Sequence, residues 1–264
     1  VFAEIDWSRP WYASVRDAAS RIDLSRPSLA EPFCEQAAAL GLANHAGQPL
    51  RFVPQAALPE GTAYEEFISA TGQVPTRDNL HDFFNALVWL TFPAIKRQLN
   101  ALQAAQIARD GVGKSRGPAR DAATIYDENS ALLVVRDDEE GAALVDALRN
   151  HRWQEAFVQR AAQFGRDAQV WLFGHALMEK LVAPYKAITA HTRVVPAGEE
   201  YWALGDAGRR AWLDRAEAGR LAADGLARGV FTPLPVLGIP GWWPAQDSAF
   251  YSDGAVFRPK RNPS

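Results

Sequence analysis

A single cysteine, a single methionine and no uninterrupted apolar stretch of membrane-spanning length set the first limits on this 264-residue chain. The lone Cys34 cannot close an internal bridge or build a site from several thiolates, and one thiol alone fits a reducing compartment. Beside "EQAAAL" it reads as a small hydrophobe. No run reaches the ~18 apolar residues of a membrane helix, and no charged n-region followed by an apolar h-region opens the chain. Together these features point to a cytoplasmic protein without a membrane span. The chain starts at Val1 rather than Met, which leaves room for an upstream segment, a signal peptide included. No block of basic residues stands out and the net charge is −3, so the stripe that neutralises nucleic-acid phosphates is missing. No repeat of 20–50 residues suggests a solenoid or propeller.

What is present is an ordinary globular balance, 48% hydrophobic and 22% charged, on a chain long enough to bury a substantial core. Helical periodicity predicts helices over 11–22 with Ser8 as a cap, over "LAEPFCEQAAAL" up to Gly41, and over "AYEEFISAT" behind a Thr62/Glu65 capping box. "LRFVPQ" reads as a strand and "GQVPTRD" as a turn. Asn79 is placed to cap the next helix, with Asp82 at its third position. Leu80, Phe83, Phe84, Leu87 and Val88 form the core face. Pro93 interrupts that helix, so a second arm is expected over 94–109.

"AATIYDENSALLVVRD" reads as a β-hairpin turning at Asp127 to Ser130. Helices over 139–148 and 152–163, a strand "QVWLF", a helix "HALMEKLV", a strand "AITAHTRVV" and a long helix from Asp206 to about 228 follow. The tail from 230 is rich in Pro and Gly but carries Trp242, Trp243, Phe250, Tyr251 and Phe257, which predicts an ordered wrap. The expected architecture is a mainly helical α+β single domain with a small sheet or hairpin and an irregular aromatic, Pro-rich C-terminal wrap. Within it lie a helical part at 1–76, a central α+β core at 77–229 and the wrap at 230–264.

Two polar pairs at helical i,i+4 spacing stand out: His81 with Asn85, and His175 with Glu179. Should their helices face each other, polar groups converge in an apolar interior, with Asp78, Asp82 or Asp121 as additions. Imidazole nitrogen and carboxylate oxygen are the donors a divalent metal such as zinc takes, so His81, His175 and Glu179 are the candidate ligands. His81, Asp82, Arg120 and Asp121 are the candidate catalytic residues, Arg120 steadying an anionic substrate. "LHD" also invites comparison with the HD dyad of metal phosphohydrolases, for which His45, His175 and Asp121 are the available partners. "GVGKS" at 111–115 lacks both the spacing and the preceding strand of a phosphate-binding loop, and no G-x-S-x-G is present. The alternative is a noncatalytic domain binding a small molecule or protein, its polar residues forming a structural network around the Pro93 bend. Substrate and oligomeric state are not legible.

The segments "HDFFNALVWLTFP", "LNALQ", "RGPARDAATIYDEN", "FGHALMEKL" and "PLPVLGIPGWWP" through "FYSDGAVFRP" together resemble the proteobacterial family DUF3025, a domain of unknown function. The likeness spreads over most of the chain and implies a bacterial, single-domain protein without bringing a reaction. The family commonly carries His where this chain has Gln103, so no essential ligand is placed there.

Overall fold

The computed structural model describes residues 2–110 and 118–260. After a 3-10 turn at Phe2–Glu4, the predicted helix over 11–22 is replaced by a 3-10 turn (Pro10–Tyr12) and a four-residue helix α1 (Arg16–Ala19). Trp11, Tyr12, Ser14 and Val15 are all buried, and Ala13 between them is exposed. Ser8 does not cap it; its hydroxyl turns back to Asp6. Helix α2 (Ala30–Ala39) ends near Gly41, whose positive φ of 62° suits glycine. Strand β1 (Arg51–Pro54) follows, then helix α3 (Tyr64–Thr71) and strand β2 (Gln73–Thr76). The segment expected to be a turn at 72–78 thus holds a short strand, paired in parallel with β1. The expected capping box fails too: Ala63 occupies the cap of α3, and the Glu65 side chain bonds Asn100 instead.

Helix α4 (Leu80–Thr91) is buried from Asp82 to Thr91, and a helix apolar around its circumference must be enclosed on every side. Asn79 caps it, its side-chain oxygen accepting the Asp82 amide at 2.8 Å. Phe92 leaves helical geometry at φ −127°, ψ 59°, and Pro93 opens helix α5 (Pro93–Asp110) as its first residue, where a missing N–H costs nothing. The next two amides, Ala94 and Ile95, donate to the Asp214 carboxylate at 3.0 and 2.9 Å.

Beyond α5 the expected hairpin is absent. Residues 118–129 form helix α6 (Pro118–Asn129), which passes directly into strand β3 (Ser130–Arg136). Local β propensity in "ATIY" is overridden because Tyr126 is buried, packed with its ring tilted against Phe173 and donating to Glu217. Helix α7 (Glu139–Arg149) is capped by Asp138; the predicted helix at 152–163 breaks into a π-turn (Glu155–Gln159) and a 3-10 turn (Ala161–Gln163). Strand β4 (Ala168–Leu172), helix α8 (His175–Lys180), strand β5 (Thr189–Ala197), helix α9 (Glu199–Trp202) and helix α10 (Asp206–Asp224) complete the core. Gly205, one residue before the expected Asp206, is the cap of α10, and the helix stops at Asp224.

The four strands of the larger sheet lie in the order β4-β3-β5-β6, with β6 (Thr232–Pro235) on one edge. Only β3 and β5 run parallel, and β3 is buried on both faces, as a central strand under helices should be. The proline-rich β6 fits its edge position. The tail then wraps the core through helix α11 (Ser248–Tyr251): Phe250, Tyr251 and Phe257 are buried, Trp242 and Trp243 partly so, and the Tyr251 hydroxyl donates to the Gly238 carbonyl at 2.9 Å. This is the mainly helical α+β architecture the sequence predicts, and no helix among the described residues is long and apolar enough to cross a membrane.

One close approach fixes α8 against α6. A Cβ on Gly174 would lie 2.4 Å from the Ser130 amide nitrogen and 2.6 Å from the Glu128 carbonyl oxygen, so only glycine lets the chain pass here. Gly174→Ala is expected to cost about 2 kcal/mol or more and lower the melting temperature by roughly 4–8 °C. Gly219→Ala, inside α10 with open space around the new methyl, should instead raise it slightly.

The α5 cap carries a pH signature. Burial pushes Asp214 up to about 6, against the pull of its two amide donors. The folded protein therefore holds a proton there that the unfolded chain has released. The Asp214 contribution to stability falls as pH rises from about 4 to about 6. The melting temperature of wild type relative to Asp214→Asn should decline across that window in thermal scans, because Asn keeps an acceptor but does not titrate.

Candidate functional site

Helices α4 and α8 face each other, and the first turn of each carries a histidine. His175 Nε2 lies 3.1 Å from His81 Nε2, with the ring planes nearly perpendicular at 82°. Behind His81, Nδ1 meets Glu179 Oε2 at 2.9 Å; behind His175, Nδ1 faces Asp127 Oδ2 at 3.7 Å, an ion-pair distance with no hydrogen bond completed. Each imidazole thus has a carboxylate at its back and the other imidazole in front. A carboxylate at Nδ1 favours a proton there and a bare Nε2. At this distance one Nε2 can donate to the other, the donor depending on the tautomers, so the pair forms a defined place for a single proton.

The arrangement runs from water into the core. His81 and Glu179 keep 35% and 39% of their side-chain surface exposed, whereas His175 keeps 6% and Asp127 11%. Deeper still is Lys96, 4% exposed, whose Nζ donates to Asp127 Oδ1 at 2.6 Å and to Asn85 Oδ1 at 2.9 Å, with the Trp89 ring centroid 5.2 Å away. Asn85 Nδ2 in turn donates to the Tyr64 hydroxyl at 3.0 Å, and Asn100 Nδ2 to Glu65 at 2.7 Å. Asn85 therefore serves Lys96 and Tyr64, rather than a carbonyl freed by the bend.

The Pro93 break makes this cluster possible. In one continuous helix, residues 85 and 96 would be separated by roughly 16 Å along the axis, beyond the reach of a lysine and an asparagine side chain together. With the chain re-aimed at Phe92, Lys96 in the first turn of α5 returns to Asn85. The end of α6 brings Asp127, and the Gly174 contact brings His175.

Electrostatics divide the buried groups. Burial lowers His175 to about 4, against the pull of Asp127, so its ring is neutral near pH 7. Asp127 goes the other way: burial works to raise it, but Lys96 and then His175 hold it below the ordinary carboxylate value. Burial raises the Glu65 carboxyl, with Lys96 opposing. The two carboxyls thus shift in opposite directions.

The remaining residues singled out from sequence lie elsewhere. Asp82 turns away from its neighbour His81 and takes a bidentate bond from Arg77, at 2.9 and 3.0 Å, so the two side chains do not act as a dyad at one point. Asp78 accepts the Leu29 amide at 2.8 Å, and exposed His45 lies against Ser69. Asp121 is in the first turn of α6, six residues before Asp127 and so about 120° away around the helix axis. The segment 111–117, with "GVGKS" and Arg116, lies outside the described residues, as does the Arg120 side chain. Glu179 sits on the far nitrogen of His81, where it orients the ring. Among the described residues no group of three or more His, Cys, Asp or Glu side chains is arranged to hold a metal ion. Sequence reasoning missed Lys96, Tyr64 and Glu65, and assigned Asp127 to a turn. The available signal was a lysine three residues after a helix-breaking proline, and a Pro118 suited to the first position of a helix.

The two histidines should differ in their thermal cost. His81→Ala removes a partly exposed ring and is expected to cost less than about 1 kcal/mol. His175→Ala removes a buried ring that packs between α4 and α6, and should cost about 2–3 kcal/mol, read as the larger drop in melting temperature.

Comparison with known proteins gives a family and no reaction. No curated protein and no solved structure matches the chain. A family model described as "Protein of unknown function (DUF3025)" matches residues 50–261, which include every member of the buried cluster and most of the C-terminal wrap, and the chain therefore belongs to the DUF3025 family.

Proposed function

We propose that this protein is a hydrolase-type enzyme working by general acid–base chemistry at the His81–His175 pair. One observation carries the reading: two Nε2 atoms face each other at 3.1 Å with a carboxylate behind each ring. In this reading a water molecule at the exposed His81 edge loses its proton to the paired nitrogens as it attacks, and the same nitrogens return that proton to the leaving group. Glu179 and Asp127 hold the rings in orientation and offset the charge that develops on them.

The metal-dependent form of this hydrolase has less support. The facing nitrogens supply two donors where a catalytic zinc commonly takes three from protein, and Glu179 is spent on the opposite nitrogen of His81. A second reading, a noncatalytic domain with a structural polar network, is favoured by the interior half alone. There Lys96 bonds Asn85 and Asn85 bonds Tyr64, while Asn100 bonds Glu65.

A panel of activated carboxylic esters, phosphoesters and anilides separates these readings when run on wild type, His81→Ala and His175→Ala, with metal content measured on each. The enzyme reading predicts turnover of one class, reduced about 10²-fold or more in both variants, with the melting temperature of His81→Ala almost unchanged. No turnover of any class, together with a drop of several degrees for His81→Ala, would leave the network reading standing. A stoichiometric metal lost in both variants would put an ion where a proton is proposed.

A further inference from the structure

Lys96 is the least exposed charge of the cluster, and its hydrogen bonds go to Asp127 and Asn85 rather than to the histidines. A buried lysine–carboxylate pair adds little stability compared with apolar residues of the same shape. What it supplies is direction. Lys96 Nζ holds Asp127 Oδ1 at 2.6 Å, which leaves Oδ2 as the oxygen facing His175 Nδ1. Lys96 is itself fixed, because Asn85 accepts its second bond and the Trp89 face covers it. Asn85 lies one helical turn beyond His81 on α4, so the same helix that presents the outer imidazole also anchors the ammonium that acts on the inner one.

We propose that Lys96 is the positioning residue of the histidine pair: by gripping one oxygen of Asp127 it aims the other at His175 Nδ1, keeps the His175 proton on that nitrogen and leaves the Nε2 lone pair facing His81. This rests on the reading that the pair is the reacting centre. Without the ammonium, Asp127 is free to rotate, and the neutral His175 ring can carry its proton on Nε2. His175 would then offer a donor, and no base, toward His81 and any substrate. Lys96 acts through Asp127 and is not itself a catalytic residue.

The test reads the tautomer and needs no substrate. Long-range ¹H–¹⁵N correlation spectra of wild type are expected to show His175 protonated on Nδ1 with Nε2 bare. In Lys96→Met, a side chain of similar length without charge, the Nε2-protonated form should become the major one. Should that variant fold poorly, Lys96→Met/Asp127→Asn removes both charges while keeping an acceptor oxygen beside His175, and is expected to show the same switch. A wild-type His175 already protonated mainly on Nε2 overturns the proposal. So does an unchanged Nδ1–H tautomer in either folded variant, whereas a loss of stability alone would not move this signal. Because the spectra are independent of turnover, an inactive substrate panel would remove the hydrolase reading without being mistaken for a failure of the Lys96 assignment.

Discussion

The contact between Lys96 and Asp127 at 2.6 Å is the constraint around which the centre of this protein is arranged. Either charge alone in that interior would be far costlier than the pair, since several kcal/mol of lost hydration would go uncompensated. The two groups stand on different helices, and each has a further partner: Asn85 on α4 for the lysine, His175 on α8 for the aspartate. One ion pair thereby fixes the mutual placement of four helices. The apolar burial of α4 supplies the driving force for collapse, and the ion pair restricts which of the available packings is reached.

The backbone features around the pair follow from the same requirement. Pro93 shortens the path between Asn85 and Lys96, Asp214 satisfies the amides exposed by the new helix start, and Gly174 lets the strand β4 to helix α8 connection lie against the start of β3. From this base the polar groups step outward through His175 to His81 and Glu179, from enclosed to half-exposed. The inner imidazole is neutral near pH 7, the aspartate is held below the ordinary carboxylate value, and the outer imidazole is reachable from solvent.

Much of the frame was legible in the amino-acid order. Asn79 as cap, Pro93 as break, Gly41 as stop and the alignment of His81 with Asn85 and of His175 with Glu179 all follow from local geometry, which acts within a turn or two of helix. The facing of α4 and α8 was conditional in the sequence and is met in the structure. Asp127 was not legible, because "TIYDENSALLVV" has strand character whose first half yields to the burial of Tyr126. Lys96 was not legible as a site residue either, since its partners come from α4 and α6. Glu65 looked like a local capping residue, yet its partner Asn100 is thirty-five residues away. Short-range rules thus found the outer pair, and long-range packing decided the inner one.

A double-mutant cycle on Lys96→Met and Asp127→Leu, followed by denaturant unfolding, tests this account most directly. Each single change is expected to cost about 3–5 kcal/mol, because it strands the opposite charge in the core. The double change should cost far less than their sum, with a coupling of about 2–3 kcal/mol or more. Strictly additive losses, or a Lys96→Met protein as stable as wild type, would contradict the claim that this ion pair holds the centre together.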